Sequence, residues 1–204
     1  MPHVAIVLAM DAASHRPAQV TAGLPDEAFV TDGLLTKRVL RAHALAVLEP
    51  VGDELLWDLG AGTGSIGIEW CLLHPGNRAI AVERNPERVA RIELNRERFG
   101  VADRLRVVTG ALEVVVPDLP RPAAVFVGGG LSSAVLGSAW SALPVSGRLV
   151  AHSVTAESDI VLLDAYRRWG GELSRVSVET AEPIGNYTGF RPARTVTIWA
   201  ITKD

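Results

Sequence analysis

Leu55-Leu56-Trp57-Asp58-Leu59-Gly60-Ala61-Gly62-Thr63-Gly64-Ser65-Ile66-Gly67 is the stretch that decides the fold. Glu54 to Leu59 reads as a buried strand broken by one acid, and Gly64 to Leu73 reads as an apolar helix that His74-Pro75-Gly76 ends. The glycines between them turn the chain sharply and leave bare backbone for a ligand to lie against. A ligand loop belongs at this point, outside the carboxyl end of a sheet strand and at the start of a helix.

Gly62, Gly64 and Gly67 also fit G-x-G-x-x-G, the dinucleotide fingerprint, so a nicotinamide-binding oxidoreductase domain competes for this loop. Two acids favour a different ligand. Asp58 stands two residues before Gly60, where its charge would oppose a pyrophosphate but suits a ligand with a cationic amino-acid end. Glu83 lies 19 residues beyond Gly64, at the end of the next strand, where a carboxylate accepts hydrogen bonds from both hydroxyls of a ribose. Acid, glycine loop and second acid together describe a pocket for S-adenosylmethionine, which carries a ribose and a sulfonium but no phosphate. The competing readings are a loop-bracing acid at Asp58 and a solvated strand end at Glu83. Gly110-Ala111, after the third strand, brings main-chain amides and a small side chain toward an adenine, or is only a loop.

Outward from this stretch, strand and helix alternate. Arg78 to Glu83 is a short strand; Asn85 caps a helix with Pro86 at its first position, running to Phe99 before Gly100. Leu105 to Thr109 and Ala123 to Val127 are strands, the second bounded by Gly128-Gly129-Gly130. A helix over Val135 to Leu143, a strand over Arg148 to Ala151 and a helix over Ala156 to Trp169 follow. Upstream, apolar positions from Leu34 to Leu48 recur at helical spacing until Pro50. The alternation predicts an α/β fold, a doubly wound, Rossmann-like, mostly parallel sheet. Glu172 to Thr180 and Thr195 to Ile201 break the rhythm: two strands with only a loop (Ala181 to Arg194) between them, which should pair antiparallel. Residues 1–22 do not match the rest. They read as a strand, Val4 to Leu8, and a linker, preceding one domain over 23–204.

The 204 residues suit one compact domain. One cysteine, Cys71, excludes an internal disulfide framework, and the five histidines show no metal-ligand spacing, so no metal is expected. The longest early apolar run, Val4 to Met10, is far below the ~20 residues of a membrane span. With a net charge of −3 and no basic run, neither membrane nor nucleic acid is an expected partner, and a soluble, cytoplasmic protein is expected. Of the 20 basic residues only Lys37 and Lys203 are lysines, a bias that reflects genome composition or rewards bidentate grip on a polyacidic small molecule.

Asp58 to Gly64 with Glu83 resembles the class I S-adenosylmethionine-dependent methyltransferases. The likeness extends through Gly-Leu-Pro-Asp (23–26), Asp32-Gly33, Thr36-Lys37, Gly-Ile-Glu-Trp (67–70), Val-Gly-Gly-Gly (127–130), Gly-Arg-Leu-Val (147–150), Val154-Thr155, Glu157 and Gly189-Phe190-Arg191-Pro192. Together these resemble the carbon-15-methylating, decarboxylating C-terminal domains of the precorrin-6Y methyltransferase family, over about residues 23–203. The resemblance implies methylation of carbon 15 of a precorrin tetrapyrrole, with decarboxylation of the ring C acetate toward precorrin-8X, in cobalamin biosynthesis. It implies a fused carbon-5 methylase domain in the full-length protein, with residues 1–22 either a remnant of that domain's end and linker or a native extension, and a homo-oligomer, with a tetramer as one form.

Carried over by position, cofactor contacts fall at Thr36, at Gly60, Ala61, Gly62, Thr63 and Gly64, at Glu83 and at Ala111, with Asp58 and Gly110 added from the residue reading. Thr36 would act as a lid from the leading helix. Gly128 to Gly130 stand where many amino-group methyltransferases carry a proline-aromatic clamp, which speaks against an exocyclic amine as acceptor. His152 departs from an expected asparagine, and Leu34-Leu35 from a more polar pair. Candidate catalytic groups are Glu157 and His152 for proton transfer, with His152 titrating near neutrality, and Arg191 as a carboxylate clamp. Arg194, Lys37, Arg38 and Arg41 are further clamp candidates. A methyltransferase for another small molecule or for tRNA, and a nicotinamide-dependent oxidoreductase, remain the alternatives.

Overall fold

A computed structural model describes residues 21–204; the expected strand Val4 to Leu8 lies outside the described residues. The elements are α1 (Arg38–Leu48), β1 (Leu55–Leu59), α2 (Ser65–Leu73), β2 (Arg78–Glu83), α3 (Pro86–Arg98), β3 (Leu105–Thr109), the short α4 (Leu112–Val115) and β4 (Ala124–Val127). They continue with α5 (Ser133–Ala142), β5 (Arg148–Ser153), α6 (Ala156–Trp169), β6 (Glu172–Val176), β7 (Glu179–Ile184), β8 (Tyr187–Pro192) and β9 (Val196–Thr202).

Seven strands form one sheet in the order β3-β2-β1-β4-β5-β9-β6. The first five are parallel; β9 runs antiparallel to both β5 and β6 and lies between them. Both faces are covered, so the inner strands are largely apolar, with Asp58, Glu83 and His152 as polar exceptions toward their carboxyl ends. Leu56, Ala81, Phe126 and Val150 pack on one side with Leu45, Ile68, Trp70 and Ile92 of α1 to α3. Trp57, Val82, Val127 and Trp199 pack on the other with Leu112, Leu136 and Leu162 of α4 to α6. Each fully buried Leu, Ile, Val or Phe among them contributes roughly 1.5–3 kcal/mol. Among the described residues no helix is long and apolar enough to cross a membrane.

Local signals place the helix starts. Asn85 Oδ1 accepts the amides of Glu87 (2.9 Å) and Arg88 (3.4 Å), and Pro86 presets the first turn of α3. Ser132 and Thr155 cap α5 and α6 in the same way.

Three expectations need correction. The leading helix starts at Arg38, not Leu34. Thr31 Oγ1 and Asp32 Oδ1 take the amides of Gly33 and Leu34 (both 3.0 Å), Gly33 adopts φ +91°, and Lys37 is extended. These local side-chain bonds hold residues 31–37 as a strap despite their helical apolar spacing. The expected loop Ala181 to Arg194 is mostly a hairpin, β7–β8, paired from Glu179↔Pro192 to Ile184↔Tyr187 as a separate two-stranded sheet. The expected single strand Glu172 to Thr180 is divided between β6 and β7, with Ser177 and Val178 between them.

Candidate active site

In sheet order the chain leaves β1 toward β2 and β3, then returns to β4 on the opposite side. Adjacent strands thus send their following loops apart at the carboxyl ends of β1 and β4, opening the crevice in which α/β sheets bind ligands. A cavity of about 680 Å³ occupies it. Its walls are the strap Gly33 to Lys37, the loop Gly60 to Thr63, Glu83, the segment Gly110 to Glu113, and Gly128 to Gly130. Beyond these, Phe126, His152, Val154, Val176, Val178, Ala193, Arg194 and Val196 line a more apolar end.

The glycine loop is held by main-chain bonds: the amides of Gly60 and Ala61 donate to Val82 O (2.9 and 3.0 Å), and that of Gly64 to Ala61 O (2.8 Å). A Cβ on Gly60 would stand 2.3 Å from Gly129 O, because the loops after β1 and β4 cross there. Gly62 is different. At φ +60° it faces open space, with Leu34 O at 3.8 Å the nearest atom to an added Cβ. Asn95 of α3, fully buried, ties the loop to the strap's approach: it donates to Thr63 O and Val30 O (both 3.0 Å) and accepts from the amide of Val30 (2.8 Å).

Asp58 is 1% exposed; its Oδ2 accepts the amide of Gly67 (3.0 Å), and its Oδ1 has no partner. Burial pushes its carboxyl up to about 7; the Gly67 bond opposes this and the charge of Glu83 adds to it. Glu83 is also buried, its Oε2 accepting the amide of Gly62 (3.0 Å) and its Oε1 that of Asn85 (2.9 Å). A carboxylate has about four acceptor positions, so Glu83 keeps capacity for a ligand while its orientation is fixed.

His152, on β5, stands edge-on to Phe126 with ring centroids 4.9 Å apart, and its Nε2 has no partner. Burial, with help from His43, pushes the imidazole down to about 4. This corrects the expectation that it titrates near neutrality.

Of the expected cofactor residues, Thr36, Asp58, Gly60 to Thr63, Glu83, Gly110 and Ala111 all line the cavity. Gly64 does not; it packs under Ile92, whose Cγ2 would stand 2.8 Å from a Cβ added there. Thr36 reaches the cavity from the strap rather than from a helix. Among the catalytic candidates only His152 lines the cavity. Glu157 is exposed in the first turn of α6, and Arg191 sits on β8 in an exposed ion pair with Glu182 (2.9 Å). Lys37 and Arg194 line the cavity, while Arg41 is buried in an internal network and so is no carboxylate clamp. Arg88, which sequence reading missed, also lines it and binds Asp32 through Nε (3.1 Å). No local signal marks that pair, because its members are 56 residues apart.

A sheet of this order, with one reversed strand and a glycine loop between two buried acids at its switch point, defines the Rossmann-like methyltransferases. Within that class the chain belongs to the precorrin methyltransferase domain family, whose model matches residues 27–203. It is 46% identical to a Sinorhizobium precorrin-6Y C(5,15)-methyltransferase [decarboxylating] over 98% of this chain and 49% of the relative, thus spanning about half that protein's length. It is 34% identical to a probable cobalt-precorrin-6B C(15)-methyltransferase (decarboxylating) of Pyrobaculum aerophilum, over 87% of this chain and 94% of the relative. The crystal structure of the C-terminal domain of the Rhodobacter capsulatus precorrin-6Y C5,15-methyltransferase superposes with a TM-score of 0.85 at 40% identity, covering 90% of this chain and 98% of that one.

Proposed function

We propose that this chain binds S-adenosylmethionine and methylates carbon 15 of a precorrin, with loss of carbon dioxide from the ring C acetate. The observation that carries the reading is the unpartnered, buried Oδ1 of Asp58 across the glycine loop from the braced carboxylate of Glu83. These residues fit a nucleoside with a positive charge and no phosphate. A pyrophosphate would meet two carboxylates instead. The printed names of the relatives supply the acceptor and the decarboxylation.

When bound, S-adenosylmethionine supplies an electrophilic methyl group whose sulfur leaves as a neutral thioether. Asp58 offers its free oxygen to the cationic amino-acid end, and Glu83 accepts from the ribose hydroxyls. Bare backbone at Gly62 and Gly128 to Gly130 lets cofactor and a flat macrocycle approach closely. Phe126, Val178 and Val196 exclude water from the acceptor end, where in-line placement supplies roughly 7–11 kcal/mol in favourable cases. Lys37 and Arg194 meet peripheral carboxylates.

In the decarboxylation the bond from the acetate methylene to its carboxylate breaks, carbon dioxide leaves, and the electron pair enters the conjugated ring system. One proton then replaces the carboxylate on the side-chain carbon. His152, neutral above about pH 4, adds no positive charge that would stabilise the carboxylate against loss, and it is the titratable group of β5 in position to pass that proton. Glu157 and Arg191 lie off the cavity and receive no role in this step.

Incubation with S-adenosylmethionine and a carbon-5-methylated precorrin tests the proposal: the product should gain one methyl group and lose one carbon dioxide. Calorimetric binding of NADH but not of S-adenosylhomocysteine would overturn it. A carbon-5 methylase partner domain and a homo-oligomer belong to the same proposal, and sedimentation velocity checks the second.

A further inference from the structure

Arg41, on α1, is fully buried, a rare state for an arginine. Its guanidinium is shared among four groups. Nε donates to Glu69 Oε1 (2.8 Å), Nη1 to Asp26 Oδ1 (2.7 Å) and to Thr36 O, and Nη2 to Leu24 O. Glu69, 2% exposed, also accepts the amides of Gly23 and Leu24. Asp26 in turn accepts the amide of Arg38 (3.0 Å) and pairs with Lys37 (3.7 Å). The ring of Phe29 lies 4.9 Å from the guanidinium carbon.

Two of those four contacts are main-chain carbonyls, and one belongs to Thr36, in the cavity wall. An apolar side chain of equal volume would fill the space at position 41 but could not hold a carbonyl. A buried ion pair replaced as a unit by apolar residues is often neutral for stability. The planar fork, with five donors in fixed directions, is what this arrangement uses.

We infer that Arg41 is a positioning residue: it touches no ligand, but by gripping Thr36 O, Leu24 O and the Glu69 and Asp26 carboxylates it sets the strap Gly33 to Lys37 as the wall that faces the cofactor. The inference rests on the cofactor reading of the cavity.

The test compares wild type, Arg41→Lys and the double variant Arg41→Met/Glu69→Met, reading urea midpoint, calorimetric affinity for S-adenosylhomocysteine, and amide exchange over Leu34 to Lys37. The double variant should bind at least tenfold more weakly, with faster exchange in the strap, and its midpoint should fall because the amides of Gly23 and Leu24 and the carbonyls of Leu24 and Thr36 lose their partners. Arg41→Lys, which keeps the charge but not the fork, should fall between. Wild-type affinity and wild-type strap exchange in a folded double variant would overturn the inference. If the double variant does not fold, the same result in Arg41→Lys overturns it. A wild-type chain that does not bind S-adenosylhomocysteine would sink the cofactor reading instead, and strap exchange in Arg41→Lys would then decide the positioning role alone.

Discussion

The carboxylate of Asp58 is half satisfied: one oxygen accepts the amide of Gly67 and the other, equally buried, accepts nothing. Burial of that half-satisfied group raises its pKa to about 7, and a pH dependence of stability follows.

Asp58 holds its proton more tightly folded (about 7) than unfolded (about 3.9), so the stability it confers at low pH is lost as pH rises through 7. Relative to wild type, Asp58→Asn should gain stability steadily from about pH 4 to pH 7, by up to about 1.4 kcal/mol per unit. Urea midpoints across this range check it, and parallel curves would contradict it. Binding a cation should also release a proton from Asp58, visible as a buffer-dependent calorimetric enthalpy near pH 6.5 in wild type but not in Asp58→Asn.

His152 acts in the opposite sense. Its folded value (about 4) lies below the unfolded one (about 6.5), so the stability present above pH 6.5 is lost as pH falls toward 4. His152→Gln, which does not titrate, should lose less stability than wild type on acidification. Its affinity for S-adenosylhomocysteine should stay within about twofold while turnover drops by about 10²-fold or more, the scale of general acid–base catalysis. Turnover at the wild-type rate would remove His152 from the proton path.

Three glycines separate conformation from space. Gly100→Ala, at φ +65° with nothing within 4 Å, should cost only the left-handed backbone, about 1–2 kcal/mol. Gly62→Ala should cost about the same yet weaken cofactor binding at least tenfold, since its Cβ enters ligand space. Gly60→Ala should be the most destabilising, because Gly129 O stands 2.3 Å from the new atom. Thermal melts and calorimetry rank them, and equal affinities for Gly62→Ala and wild type would refute the ligand path.

Asp32 is held below the ordinary carboxylate range chiefly by the amide of Leu34; burial opposes this, and Arg88 and Arg91 add to the lowering. Its ion pairs with Arg88 (3.1 Å) and Arg91 (3.3 Å) latch the strap to α3 at a partly exposed site. Salt screens such pairs, the Debye length shrinking to about 3 Å at 1 M. Cofactor affinity of the wild type should therefore weaken severalfold in molar salt, and that of Asp32→Asn, which keeps the Leu34 acceptor but no charge, should change less. Equal salt dependence would leave the latch without a role in binding.

The parallel half of the sheet was legible because its signals are local: Asn85-Pro86 opens α3, the apolar runs are strand-length, and three glycines follow an acid at a strand end. The strap was not legible. Its apolar spacing is helical, but Arg41, Asn95 and Arg88 shape it, and those contacts reach across 5 to 65 residues. The β7–β8 hairpin escaped for another reason: its strands are mostly exposed, so no apolar alternation marks them, although Gly185-Asn186 gives a two-residue turn signal. The cavity's apolar end was not legible because it is assembled from single residues of β4, β5, β6 and β9 and the links beside them, far apart in the chain. Position 36 came from the resemblance alone.

Among the main sheet's strands β6 pairs only with β9, the last to be synthesised, and β9 in turn joins it to β5. Without β9, β6 has no neighbour in the main sheet, whereas the five parallel strands already pair with one another. Val196, which opens β9, also lines the cavity, as do Ala193 and Arg194 just before it. One strand therefore completes both the sheet and the pocket wall, so loosening it would open the two together.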